Sequence, residues 1–269
     1  MTNRRRVASR RRSTAATVLA LAAVTSGLLA PPAHAQGTLR IAAYNIKHGE
    51  GMDGVVDLRR AADVLRALDA DVITLQEIDR GTERTDRVDQ ARRLGELLGM
   101  EAHFGDFMPY QGGEYGMAVL SRLPIRRVEN IRLPDGDEPR TALEVEVAIG
   151  PEARPVSVVG IHFYRTPEER LAQAEALSVA LDAREHPVVL AGDFNSFRGD
   201  IVMSALRREE WYLVDKQDSP MTFPADAPAR EIDFVLLRPA GAFEIVEHRV
   251  IEEKLVSDHR PLVAVLRLW

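Results

Sequence analysis

Two rhythms of apolar and polar positions run through most of this chain. "LRIAAYNI" (39–46) and "DVITLQEI" (71–78) are short, mainly apolar runs that predict buried strands. Between them, Leu58, Ala61, Ala62, Leu65 and Leu68 fall on one face at helical spacing. This predicts a helix over 57–68 with Asp57 as its N-cap. A second helix is predicted over 89–99, closed by Gly99. Segments 115–125, 141–149 and 154–163 read as strands, two of them alternating. Thr166, Pro167 and Glu169 form a capping-box pattern at the head of a helix over 166–181. "PVVLAGDFN" (187–195) is the next strand, followed by a short helix near 200–207 and strands over 231–238, 242–251 and 260–268. Gly, Pro and Asp mark loops at 106–114, 132–139 and 218–230. Each half runs strand, helix, strand and then further strands. The pattern predicts an α/β fold of two sheets packed face to face with helices outside.

The first 35 residues follow a different pattern. Six arginines (4–6 and 10–12) precede the apolar stretch "TVLALAAVTSGLLA" and then "AHA" before Gln36. This is the layout of a secretory signal cleaved after Ala35, and the apolar stretch is shorter than the ~20 residues needed to span a bilayer. "SRRR" at 9–12 hints at twin-arginine export, although the large apolar residue usual after the pair is missing. The expected products are a signal peptide over 1–35 and a secreted domain over 36–269, with no integral membrane segment after cleavage. Removing the segment takes six arginines and no acids, which moves the formal charge from −6 to −12. That argues against a broad basic face for gripping a long nucleic acid and leaves room for a local basic pocket. There is no cysteine, hence no disulfide and no thiolate metal site.

Candidate chemistry collects where apolar runs end. Asn45 closes the first strand and Glu77 the second; His162 closes a later one, and Asp193 and Asn195 another. Asp233 stands in "EIDFV", and Asp258 and His259 come just before the last strand. Each has a plain reading by itself. Asn45, Asp193 and Asn195 suit turns, Glu77 suits the surface, Asp233 suits a pair with Arg230, and His162 suits a satisfied core. Taken together, these eight polar groups at apolar strand ends all need partners. A hard cation would satisfy several of them, and oxygen-rich ligation without cysteine suits Mg²⁺ or Mn²⁺.

The ordered set "AYNIKHG", "LQEID", "GMAVLSRLPI", "IHF", "GDFN", "TFP…REIDFV" and "SDHRPLVA" resembles the motifs of the endonuclease/exonuclease/phosphatase superfamily, from Leu39 to about Leu266. The superfamily includes pancreatic-type DNases, AP endonucleases, inositol polyphosphate 5-phosphatases and neutral sphingomyelinases. The resemblance implies a DNase-I-like four-layer α/β sandwich and metal-dependent phosphoester hydrolysis. It implies that Asn45 and Glu77 bind the metal with Asp258 near it, and that Asp193 orients or deprotonates the attacking water. Asn195 and His162 would hold the scissile phosphate, and Asp233 would fix the ring of His259, which stabilises the transition state. Arg140 in "EPRTAL" and Tyr115 are further expected substrate contacts. Where some members carry an acid two residues after the first-motif Asn, this chain has Lys47. The departure favours a single ion, with a cation near the phosphate.

Selectivity is expected in the segments "DFMPYQGGE", "RLPDGDEP" and "DSPMTFPADAPA", which are short and largely acidic or neutral. No Lys/Arg stripe with interleaved aromatics follows a nucleic-acid strand, and no apolar insertion reaches into a membrane. The expected substrate is a small phosphoester or an exposed phospholipid headgroup. A secreted DNA or RNA nuclease and a phosphoester-binding module without turnover are the alternatives. Nothing calls for an obligate partner, so a monomer is expected.

Overall fold

The computed structural model describes residues 1–2 and 37–269. The signal-peptide expectation falls, beyond residues 1–2, outside the described residues. Twelve strands among those described form two six-stranded mixed sheets. The first sheet has the order β11 (Phe243–Val250), β12 (Leu262–Leu268), β1 (Thr38–Asn45), β2 (Val72–Arg80), β4 (Gly113–Ser121), β3 (Glu101–Tyr110). The second has the order β5 (Ile125–Arg132), β6 (Thr141–Ile149), β7 (Arg154–His162), β8 (Val188–Asp193), β10 (Asp233–Arg238), β9 (Tyr212–Leu213). Each sheet has a parallel pair at its centre joined through a helix: β1–β2 through α1 (Leu58–Leu68) and β7–β8 through α3 (Pro167–Leu181).

Side-chain alternation builds four layers. Leu39, Ile41 and Ala43 on β1 face Val156 and Val158 on β7 and Val189 and Ala191 on β8, forming the core between the sheets. The opposite parity, Ala42 and Tyr44 on β1 and Ile73 and Leu75 on β2, packs under α1 and α2 (Gln90–Leu98). Val159, Ile161, Leu190 and Phe234 pack under α3 and α4 (Ile201–Arg208). Asn45, His162, Asp193 and Asp233 share the parity of the inner residues. Asn45, His162 and Asp193 occupy the last inward position of their strands and Asp233 the first of the antiparallel β10, where the core gives way to a cleft.

Several elements depart from the sequence expectation. The loop expected at 106–114 is a tight hairpin between β3 and β4, and the strand expected over 115–125 ends at Ser121. The chain then changes sheets and runs as the unexpected β5. Asp57 caps α1 by accepting from the Arg59 and Arg60 amides, and Gly99 closes α2 in the left-handed region. Thr166 does not cap with its hydroxyl. It donates to Glu169 Oε2 at 2.7 Å, while Glu169 Oε1 accepts from the Asp137 amide and ties α3 to the 132–139 segment.

One core group gives the fold an acid sensitivity. His248 on β11 is fully buried, and neither ring nitrogen has a well-formed hydrogen bond. Burial, reinforced by the Lys216 ammonium, pushes its imidazole down to about 4. In the unfolded chain a histidine titrates near 6.5. Between these values the unfolded state binds the extra proton. The stabilisation from neutral His248 is therefore present above about pH 6.5 and is lost as pH falls towards 4. Between pH 8 and pH 5 this one group should remove about 2 kcal/mol of unfolding free energy. Urea titrations of His248→Gln should show a shallower acid decline than wild type by about that amount; parallel declines would exclude the assignment.

Candidate active site

The cleft lies at the carboxyl ends of both parallel pairs. Register places His162, Asp193 and Asp233 side by side on β7, β8 and β10. Open α/β sheets commonly bind ligands at such strand ends. Gly192 permits the close approach there, since a Cβ would lie 2.2 Å from the Ile161 carbonyl oxygen and 2.9 Å from Gln76 Nε2.

Glu77 reaches the cleft by a different device. Simple alternation would aim it, like Ile73 and Leu75, at the helices. A bulge between Gln76 and Ile78 and a left-handed backbone at Glu77 (φ 58°) reset the parity. Ile78 takes the helix-side position and Glu77 lines the cleft. Asn195 is also left-handed (φ 48°), and so are Lys47 and His48, two and three residues after Asn45.

Asp193 is the centre of the cluster. Its Oδ1 accepts from the Asn195 amide at 2.8 Å, and its Oδ2 accepts from Asn45 Nδ2 at 3.3 Å. The same Oδ2 lies 3.5 Å from His162 Nε2 and 3.6 Å from His259 Nε2. Burial, with repulsion from Asp233, pushes the Asp193 carboxyl up to about 7. His259 Nδ1 donates to Asp233 at 2.9 Å, and the ring stacks edge-on against Phe223 with centroids 4.9 Å apart. Burial alone would lower the His259 imidazole, but Asp233 and Asp193 outweigh it and raise it to about 10. His162 has no such carboxylate on its far side. Burial, then Arg140 and His259, holds it well below the ordinary histidine range.

Arg140 sits just before β6 within a cage of Phe107, Tyr115 and Tyr164, its guanidinium carbon 4.8, 5.9 and 5.3 Å from the ring centroids. It pairs with Glu138, and its Nε is buried without a partner. Asn195 Nδ2 donates to the Phe163 carbonyl at 3.0 Å, which pins β8 to the end of β7.

Glu77, Tyr115, Arg140, His162, Asp193, Asn195, Asp258 and His259 line a cleft of about 330 Å³. Asn45 and Asp233 lie beneath it and bond to residues that do line it. Asp233 faces His259 and has no ion pair with Arg230, which stacks on Phe223 at 4.4 Å. Lys47 does not line the cleft; its ammonium is held by Glu50 at 2.8 Å, within electrostatic reach of Asp258 and Glu77. Glu138, Tyr164, Arg165, Phe223, Arg230 and Ile232 complete the lining and were not anticipated as site residues. Tyr164 and Arg165 directly follow "IHF", and Phe223 stands in "TFP", so adjacency to the motifs was the available signal.

The donor set suits a hard cation. Glu77 is half-buried, its carboxyl raised first by desolvation, with Asp258 adding repulsion and the Asn45 amide opposing at 3.1 Å. Neither Glu77 nor Asp258 has an ion pair among the described residues. Two such carboxylates beside an amide form an oxygen-rich pair with no close ion-pair partner of its own, although His259 and Lys47 lie within electrostatic reach. Asn45 turns its nitrogen to Glu77 and Asp193 and its Oδ1 to the Lys47 amide. It therefore offers oxygen to an ion only after a half-turn of its amide. Asp193, Asp233 and His259 also lie within 4.8 Å of one another, but Asp233 and His259 already satisfy each other.

The model of the Endonuclease/Exonuclease/phosphatase family matches residues 42–259. Protein YbhP of Escherichia coli K12, itself uncharacterized, is 26% identical over 221 residues, covering 77% of this chain and 87% of YbhP. The crystal structure of an endonuclease/exonuclease/phosphatase from Beutenbergia cavernae superposes with a TM-score of 0.69 at 26% identity, over 86% of this chain and 72% of that one. A mannosyl-6-phosphatase from Bacteroides thetaiotaomicron superposes at 0.68 over 85% and 99% of the two chains. At 16% identity that likeness concerns the fold.

Proposed function

The chain belongs to the endonuclease/exonuclease/phosphatase family, and from that premise we propose that it is an exported, divalent-metal-dependent hydrolase of small phosphoesters, monomeric and using one Mg²⁺ or Mn²⁺. The support is the gathering of Asp193, His162, His259 and Arg140 around a cleft of about 330 Å³ that also holds two carboxylates outside any close ion pair. A cleft of this size lies at the small end of ligand sites.

Arg140 and His162 would hold the phosphate from the second sheet, with Asn195 beside them. Asp193, with its carboxyl near neutrality, would orient the attacking water and accept its proton. His259, kept protonated by Asp233, would donate to the phosphoryl or leaving oxygen as charge builds there. Glu77 and Asp258, with Asn45 after its half-turn, would hold the ion, which when bound neutralises charge on the non-bridging oxygens.

The test is release of 4-nitrophenol from 4-nitrophenyl phosphate and bis(4-nitrophenyl) phosphate with Mg²⁺, Mn²⁺ or EDTA, beside plasmid nicking in the same buffers. We expect metal-dependent turnover of the small esters, loss of it in EDTA, and intact plasmid at equal enzyme. Plasmid degradation at trace enzyme would make the protein a nuclease. Tight binding of esters without turnover under any metal would make it a binding module. Detection of the mature protein beginning at Gln36 in the culture medium tests export.

A further inference from the structure

A second cavity of about 180 Å³ opens against the cleft and shares two walls with it, Tyr115 and Glu138. Arg84, Met108 and Tyr110 complete it. Its walls are held firmly. Arg84 stands in a 3₁₀ turn (Glu83–Thr85) and places Nε and Nη2 on the buried Asp79 carboxylate at 2.7 and 2.8 Å. Thr82 donates to the same carboxylate at 2.7 Å. The guanidinium lies 4.6 Å over Tyr110 and 5.5 Å from the Tyr115 centroid. Asp79 engages two arms of the fork, and Nη1 has no hydrogen-bond partner among the described residues. On Glu138, Oε1 is engaged by Arg140, and Oε2 is open to accept.

Three features define what fits. The cavity offers a fixed donor in Arg84 and a fixed acceptor in Glu138, with ring edges and a thioether between them. Tyr110 and Tyr115 are tilted at 53° with centroids 6.1 Å apart, so they form no parallel slot. Arg84 already covers the face of Tyr110 that a nucleobase would stack on. The two charged groups oppose an acyl chain. We propose that this annex holds the hydroxylated ring of a sugar or polyol phosphate whose phosphate group sits in the adjoining cleft. The ring's hydroxyls meet Arg84 and Glu138, and its C–H edges meet Tyr110, Tyr115 and Met108. The inference rests on the phosphoester-hydrolase reading and names the substrate class for it.

The experiment compares kcat/KM for glucose 6-phosphate, methyl phosphate, AMP and a glycerophospholipid in Mg²⁺. The wild type, Tyr110→Ala, Tyr110→Phe and, as a control on the remote edge strand, Tyr212→Ala are used. Wild type is expected to prefer glucose 6-phosphate to methyl phosphate by about tenfold or more, with the difference mainly in KM. Tyr110→Ala should collapse that ratio, Tyr110→Phe should keep it, and Tyr212→Ala should leave it untouched. Equal use of the two esters by wild type, or a ratio unchanged in Tyr110→Ala, overturns the annex. Preference for AMP or the phospholipid that is lost in Tyr110→Ala overturns the polyol assignment. Calorimetric titration of Asp193→Asn with glucose 6-phosphate and methyl phosphate reads the same preference as binding. Discrimination by Asp193→Asn there, with no turnover of any ester by wild type, refutes the hydrolase reading and keeps the annex.

Discussion

Asp193→Asn is expected to lower kcat for phosphoester hydrolysis by about 10³-fold or more, with the fold intact and Tm unchanged or raised. Asparagine has nearly the same shape, and its oxygen can still accept from the Asn195 amide, which Asp193 holds at 2.8 Å. The charge is what disappears. With it goes the group that lies within 3.6 Å of both cleft histidines and sits near neutrality, where a general base is most effective. General-base assistance contributes about 10²–10⁴ in rate, and removal of one member of a charge-stabilising set compounds the loss. Stability should respond in the opposite sense. Burial and the Asp233 charge both disfavour ionised Asp193, so a neutral isostere relieves a strain that function maintains. Steady-state kinetics at saturating Mg²⁺, circular dichroism and a thermal melt check the three parts. An intact variant that hydrolyses within about threefold of wild type would remove Asp193 from the chemistry.

The path from sequence to site was legible where side-chain parity is simple. Leu39, Ile41 and Ala43 alternate inward on β1 and Asn45 continues the series; Val189, Ala191 and Asp193 do the same on β8. A polar residue at an inward position is detectable from spacing alone, and four of the ten candidate residues, Asn45, His162, Asp193 and Asp233, are of this kind. Glu77 is not, because its inward aim depends on a one-residue bulge that alternation cannot announce. Strands β3 and β5 escaped for another reason. Both are edge strands, with Asp106 and Pro109 in one and "RRVEN" in the other, and an edge tolerates polar residues and proline that a central strand does not. The annex was half visible: Met108 and Tyr110 belong to "DFMPYQGGE" and Glu138 to "RLPDGDEP". Arg84 comes from a 3₁₀ turn whose anchor, Asp79, lies five residues earlier and gives no periodic signal.

Asp233→Asn should produce the second large loss, about 10²–10⁴-fold in kcat with little change in KM. Asp233 touches no substrate. It acts on His259, whose Nδ1 it accepts at 2.9 Å, and it is held rigidly for the purpose. Its backbone pairs with Asp193 across β10 and β8, and its carbonyl accepts from the fully buried Lys216 ammonium at 2.9 Å. Lys216 is in turn bound to Glu231 at 2.7 Å, and Glu231 is gripped by both Nε and Nη2 of Arg198. All of those contacts survive the substitution, so the variant tests charge and tautomer without disturbing the scaffold. In the wild type, burial pulls the His259 imidazole down and the two aspartates carry it back up to about 10, with Asp233 the larger influence. With that charge gone, only Asp193 and Asp258 still oppose burial, and the ring is expected to be mainly neutral at about pH 8 and a poorer donor to a developing oxyanion. Two readouts separate this from a general loosening of the site. The imidazole ¹⁵N and ¹H resonances of His259 should report a cation at pH 8 in wild type and a neutral ring in Asp233→Asn. Binding of inorganic phosphate should change by less than about threefold, because Arg140 and His162 are untouched. A variant whose His259 stays cationic at pH 8, or whose turnover survives the neutral ring, would detach Asp233 from the mechanism and leave it a purely structural partner of that histidine.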